Sequence, residues 1–215
     1  MKTPHKILAE KLLRVSAIKL QPEAPFVWAS GWTSPVYTDL RRTLSYPDIR
    51  NFLKIELSRL IVEHFPGVNA IAGIATGAIA IGAIVADALS LPYAYVRHEP
   101  KDHGLENMIE GNLKMGWKVV VIDELISTGA AAIKCVDAIA NSGCEPIGLA
   151  TVFNFEFDEA KQRFHDAKIP LLSLLTYTEM LEVASEIKQI SPDDRQTLEE
   201  WRGDPCVNIF CGMGS

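Results

Sequence analysis

The run Lys118-Val119-Val120-Val121-Ile122-Asp123-Glu124-Leu125-Ile126-Ser127-Thr128-Gly129-Ala130-Ala131-Ala132 constrains this chain more than any other stretch. A basic residue leads into four consecutive apolar residues, three of them valine, which is the pattern of a strand buried on both faces. Two adjacent carboxylates, Asp123 and Glu124, close that strand and a Ser-Thr-Gly turn follows. Apolar residues then recur at Ala132, Ile133, Val136, Ile139 and Ala140 with helical spacing. A buried strand that turns directly into a helix belongs to a parallel sheet, and open sheets of this kind bind ligands at the C-terminal edge of their strands. Backbone N–H groups of the turn and the helix start can hold a phosphate, with the Ser127 and Thr128 hydroxyls as further donors. The carboxylates cannot hold phosphate, but they accept hydrogen bonds from sugar hydroxyls. A ribose phosphate satisfies both halves of the motif.

The same strand–turn–helix grammar recurs upstream. Val68 to Ile74 is a short apolar strand, Ala75-Thr76-Gly77-Ala78 a turn of small residues, and an apolar helix follows as far as Leu89. The turn has neither a GxGxxG nor a Gly-Lys-Ser/Thr motif, so it is neither a dinucleotide fingerprint nor a P-loop. Two such turns in one sheet can hold two phosphate groups of one ligand. Leu91 to Val96 reads as the next strand. It delivers Arg97-His98-Glu99-Pro100-Lys101-Asp102-His103-Gly104, where Pro100 and Gly104 exclude a helix and predict a mobile surface loop. Its charges of both signs suit a solvated loop. Its clustered cations also suit a polyphosphate leaving group. Further strands are predicted over Ile147–Phe155 and Pro170–Thr176, with a helix over Phe157–Ala167 between them. From Val68 to about Thr176 the elements alternate as βαβα, which predicts a parallel sheet with right-handed crossovers.

The flanks are read in the same way. His5 to Ile18 predicts a helix, and Pro25 to Asp39, rich in aromatic and turn-forming residues, predicts two short strands around a Ser-Gly bend. Its aromatic rings suit either stacking on a flat ligand or a small core under an accessory lobe. Ser45-Tyr46-Pro47-Asp48 predicts a helix start with Ser45 as N-cap, and Ser191-Pro192-Asp193-Asp194 predicts another. The net charge of −6 argues against a general nucleic-acid or membrane-surface binder. Charged residues run through the first twenty positions, which excludes a secretory h-region there. Cys135, Cys144, Cys206 and Cys211 form no CxxC pair, and free thiols in a reducing cytoplasm are the expectation.

These residues resemble a family. Val120 to Gly129 resembles the phosphoribosyl-diphosphate (PRPP) signature of type I phosphoribosyltransferases. Tyr95 to Gly104 resembles the catalytic loop of the orotate phosphoribosyltransferase branch, and Ala29 to Tyr37 its base-proximal segment. The resemblance implies an α/β fold with a central, mostly parallel sheet flanked by helices and a small N-terminal hood. It implies one phosphoribosyltransferase domain over 1–215, with about 1–45 as the hood and about 46–205 as the α/β core and C-terminal helices. The implied reaction is transfer of ribose 5-phosphate from PRPP to orotate, giving orotidine 5′-monophosphate and pyrophosphate in pyrimidine synthesis.

By position, the resemblance gives Asp123 and Glu124 the ribose hydroxyls and the run Leu125, Ile126, Ser127, Thr128, Gly129, Ala130 and Ala131 the PRPP site, with Ser127 to Ala131 cradling the 5′-phosphate. Thr76 and Gly77 fall at the pyrophosphate turn, while Arg97, Lys101 and His103 grip pyrophosphate. Catalysis is implied for Lys101, His103, Arg97 and Asp123, and orotate contact for Ser127 and Tyr37. Mg²⁺ is implied as a cofactor bound mainly through PRPP, with no dedicated protein metal site. A cytoplasmic homodimer sharing loop residues across its interface is implied as well. The chain departs from the usual family pattern at Ala29, Gly77, His98 and Phe155, where lysine or arginine is common. A phosphoribosyltransferase for another base and a non-catalytic PRPP-binding regulator are therefore the alternatives.

Overall fold

The computed structural model describes residues 2–27, 33–98 and 108–205. Contacts divide the chain into two compact units, one made of Met1–Thr43 with Tyr177–Ser215, the other of Leu44–Thr176.

In the first unit, helix α1 (Pro4–Arg14) starts on a proline in its first turn and buries Leu8, Leu12 and Leu13. The helix expected to reach Ile18 stops four residues earlier. Ser16 takes a left-handed φ of 55°, its N–H bonds to the Leu13 carbonyl, and the Ala17 N–H bonds to that of Leu12. This is a Schellman closure with serine where glycine is usual, so the sequence carries no visible stop. The released chain forms β1 (Ile18–Leu20), then β2 (Phe26–Val27), β3 (Thr33–Ser34) and β4 (Val36–Thr38). Strands β1 and β4 pair antiparallel, as do β2 and β3.

A short 3-10 helix (Leu40–Ser45) precedes α2 (Pro47–His64), whose N-cap is Tyr46 rather than the expected Ser45. Ser45 instead ends the 3-10 turn, and Pro47 starts the helix without a side-chain cap. The second unit continues through β5 (Ala70–Ile74), α3 (Ala78–Leu89), β6 (Tyr93–Val96), β7 (Ile109–Glu110), β8 (Lys118–Ile126), α4 (Ala130–Asn141), β9 (Glu145–Asn154), α5 (Asp158–Asp166) and β10 (Leu171–Thr176). Its sheet has the order β10-β9-β8-β5-β6-β7. Every pairing is parallel except β6 with β7, where Ile109 returns antiparallel to Val96. Val119, Val120, Val121 and Ile122 of the central strand have no solvent exposure, which is what helices on both faces of a parallel sheet require. Helices α6 (Tyr177–Glu186) and α7 (Pro192–Gly203) belong to the first unit, where α6 packs on α1. The expected start of α7 is a complete capping box between Ser191 and Asp194.

The strand order reverses between β5 and β8. The chain leaves β5 through α3 toward β6 on one side, and leaves β8 through α4 toward β9 on the other. A crevice opens at such a switch point, at the C-terminal ends of the two strands. Strand β8 overhangs it: β5 pairs with β8 only to Gly73 opposite Ile122, while β9 follows β8 to Asn154 opposite Ile126. Asp123 and Glu124 thus lie inside the strand rather than closing it, because β9 keeps the ladder going on one side. The first pair of residues with no β5 neighbour is the acidic pair.

Candidate active site

Asp123 and Glu124 are successive residues of an extended strand, so their side chains leave on opposite faces. Both are half-buried. The Glu124 N–H donates to Asp123 Oδ1 at 2.8 Å. Burial pushes the Asp123 carboxyl up to about 7, the neighbouring Glu124 charge adds to this, and the N–H groups of Glu124 and Leu125 oppose it. On α4 the buried Cys135 thiol is pushed up to about 12, first by burial and then by the Asp123 charge. It stays protonated and contributes no competing anion.

Two turns flank the acids. The first carries β5 into α3 through Ala75, Thr76 and Gly77, with a cis peptide between Ala75 and Thr76. The Ala75 N–H donates to the Val96 carbonyl at 2.8 Å, which ties this turn to the end of β6. A Cβ built on Gly77 would overlap the carboxylate of Glu124. The two sequence motifs meet at that point. The second turn, Ser127-Thr128-Gly129, carries β8 into α4. Gly129 has a φ of 76°, and a Cβ there would lie 3.1 Å from the Phe164 ring, so glycine is needed on both counts. Ala130 and Ala131 form the exposed first turn of α4, which has no side-chain cap and no acidic residue. Its N–H groups are suited to an anion. Ile126, by contrast, is buried in the core, so it offers this turn backbone only.

Arg97 leaves β6 beside the first turn. Its N–H donates to the Met108 carbonyl at 2.8 Å, and its Nη1 lies 3.8 Å from Glu110 Oε1 on β7. His98 is exposed. Lys101 and His103, the other expected loop groups, lie outside the described residues, as do Ala29 and the Ser-Gly bend. Asp123, Glu124, Leu125, Ile126, Ser127, Thr128, Gly129, Ala130, Ala131, Thr76, Gly77 and Arg97 all belong to the second unit; Tyr37 belongs to the first. There its ring lies 5.3 Å from that of Phe26, with Lys19 Nζ 5.8 Å from its centroid.

Sequence reasoning missed what supports the second turn. Arg163 Nη1 donates to the Thr128 carbonyl at 2.5 Å, and Phe164 packs on Gly129. Both come from α5, and only the glycine hinted at a neighbour that close. Phe155 is fully buried, stacked on Phe157 at 5.3 Å and edge-on to Phe153 at 5.1 Å. A cation there would face the core. Asn154 before it accepts from the Glu156 N–H at 2.8 Å. Among the described residues no group of three or more His, Cys, Asp or Glu is placed to hold a metal ion. Cys135 and Cys144 are free and buried. No described helix is long and apolar enough to cross a membrane.

A strand overhang bearing two acids between two helix-start turns defines an α/β protein with its candidate site at the switch point of a mostly parallel sheet. The phosphoribosyl transferase domain family matches residues 49–177, nearly the whole of the second unit. An orotate phosphoribosyltransferase of Bacteroides fragilis is 56% identical over 205 residues, covering 95% of this chain and 97% of its own. One from Porphyromonas gingivalis is 53% identical over 205 residues, covering 95% and 98%. Among solved structures, the orotate phosphoribosyltransferase of Aeropyrum pernix matches with a TM-score of 0.71 and 26% identity, covering 83% of this chain and 99% of its own. The chain belongs to the phosphoribosyltransferase family, in its orotate phosphoribosyltransferase branch.

Proposed function

We propose that this chain transfers ribose 5-phosphate from PRPP to N1 of orotate, releasing pyrophosphate and forming orotidine 5′-monophosphate. The observation that carries the reading is the overhang of β8, which presents Asp123 and Glu124 beside two turns that each open a helix. In this reading the N–H groups from Ser127 to Ala131 take the 5′-phosphate, and Asp123 and Glu124 accept hydrogen bonds from the ribose hydroxyls. Breaking the C1–O bond builds positive charge on the sugar and negative charge on the departing pyrophosphate. Ionised carboxylates stabilise the first, and Arg97, Lys101 and His103 are assigned to the second. Excluding water matters because hydrolysis of PRPP competes with transfer.

Mg²⁺ enters with the co-substrate. Two carboxylates are too few for a protein cage, but they suit an ion that keeps most of its ligands from phosphate, sugar and water. The active form is a dimer whose loop cations reach the neighbouring subunit's site, in the cytoplasm. Orotate, uracil and hypoxanthine, each supplied with PRPP and Mg²⁺, test the reading. Orotate should be consumed with one pyrophosphate released per turnover. Consumption of another base with orotate untouched would overturn the assignment.

A further inference from the structure

Glu124 is the side chain through which β8 reaches the turn between β5 and α3. It leaves β8 on the face toward the turn between β5 and α3, and its carboxylate takes the space where a side chain at position 77 would begin. Gly77 immediately precedes the first residue of α3. No acidic residue lies in the first turn of α3, so that helix start draws its nearby negative charge from another element. The proposed function sends a pyrophosphate, also an anion, to this turn.

The geometry points to Glu124 as an internal stand-in for that anion: in the free protein its carboxylate holds the Thr76–Gly77 turn, and pyrophosphate or the diphosphate of PRPP must displace it. This inference rests on the assignment of the turn to pyrophosphate. Displacement swings the carboxylate off Gly77 toward the crevice, where the ribose hydroxyls lie in the same reading. Binding of the diphosphate and recruitment of the second carboxylate to the sugar are then one event. A glycine at 77 is what makes this possible, because any side chain there would keep Glu124 out of the turn permanently.

Calorimetric titration with inorganic pyrophosphate at fixed ionic strength and pH 8.5 tests this on three proteins. Glu124→Gln keeps the shape and removes the charge, and should tighten pyrophosphate binding about 3- to 10-fold over wild type. Glu124→Asp keeps the charge but shortens the side chain by one methylene, drawing it back from Gly77. It should tighten binding at least about twofold, since position as well as charge is at issue. Unchanged or weaker binding in Glu124→Gln would overturn the inference. So would tightening in Glu124→Gln with wild-type affinity in Glu124→Asp, which would reveal only a general field effect. Wild-type turnover of orotate alongside either result would leave the site reading intact. Failure of all three proteins to bind pyrophosphate would remove both.

Discussion

Arg163 donates a hydrogen bond at 2.5 Å to the carbonyl of Thr128, 35 residues earlier in the chain. The guanidinium thereby pins the middle of the turn that opens α4, while Phe164, the next residue, packs against Gly129. Helix α5 acts as a buttress for the turn proposed to hold the 5′-phosphate.

Arg163→Ala should therefore loosen the turn more than it destabilises the protein. Arg163 is exposed, so the loss in stability should stay below about 1 kcal/mol. Steady-state kinetics should show KM for PRPP rising about 3- to 10-fold with a smaller change in kcat. An unchanged KM would show that the turn holds its shape without Arg163.

Asp123 sets a pH dependence. Its carboxyl titrates at about 7 in the folded protein, against an ordinary value of 3.8. The folded state thus binds this proton more tightly than the unfolded chain. The associated stability is present below about pH 4, falls as pH rises toward 7, and is lost above it. Asp123→Asn should be more stable than wild type at pH 8 by an amount on the order of 1–3 kcal/mol, and the advantage should shrink toward pH 4. Chemical denaturation at the two pH values measures it. The wild-type rate should also rise through about pH 7 as the carboxylate forms.

Among the described residues, four helices close on a left-handed residue that is not glycine: Ser16 after α1, Ser90 after α3, Lys168 after α5 and Lys188 after α6. In each case the N–H of the following residue bonds to a carbonyl five positions back: Ala17 to Leu12, Leu91 to Ala86, Ile169 to Phe164 and Gln189 to Ala184. A side chain is strained in this conformation and glycine is not. Lys188→Gly, at an exposed position, should raise stability by about 0.5–1 kcal/mol, read as an increase in Tm. Lys188→Val should lower it, because a β-branched side chain fits this region worst.

The proposed loop cations and the proposed dimer share one experiment. Lys101→Ala or His103→Ala should lower kcat by about 10²–10⁴ while PRPP still binds, because these groups act on charge that develops only in the transition state. A mixture of Lys101→Ala with Asp123→Ala protein should recover part of the activity if loops serve the neighbouring subunit's site. No recovery after subunit exchange would show that each site is built from one chain.

Legibility in the sequence followed the range of the interactions. Strand β8, the turn after it and α4 were readable because burial on both faces, the acid pair and the glycine are local signals. The parallel sheet followed from the βαβα alternation, whereas its order, β10-β9-β8-β5-β6-β7, has no local signal in the sequence. Strand β7 was not readable, since two residues pairing antiparallel with the end of β6 leave no periodicity. Nor was the stop of α1, where serine does the work of glycine. The grouping of α6 and α7 with α1 depends on tertiary contacts such as the bond from the Trp201 indole to the Thr33 carbonyl, 168 residues away. In the site, the residue types of both turns were visible. The contact between Gly77 and Glu124 was not, because it joins the turn after β5 to the neighbouring strand β8, 47 residues away in the chain.

In the proposed reaction the β8 acids serve the ribose of PRPP during transfer to orotate. Single-turnover formation of orotidine 5′-monophosphate by wild type and by Asp123→Asn, at pH 8 with Mg²⁺, tests it most directly. Wild type should form the nucleotide and pyrophosphate in equal amounts, and the variant should do so at least about 100-fold more slowly. No nucleotide from wild type, or an undiminished rate in Asp123→Asn, would contradict it.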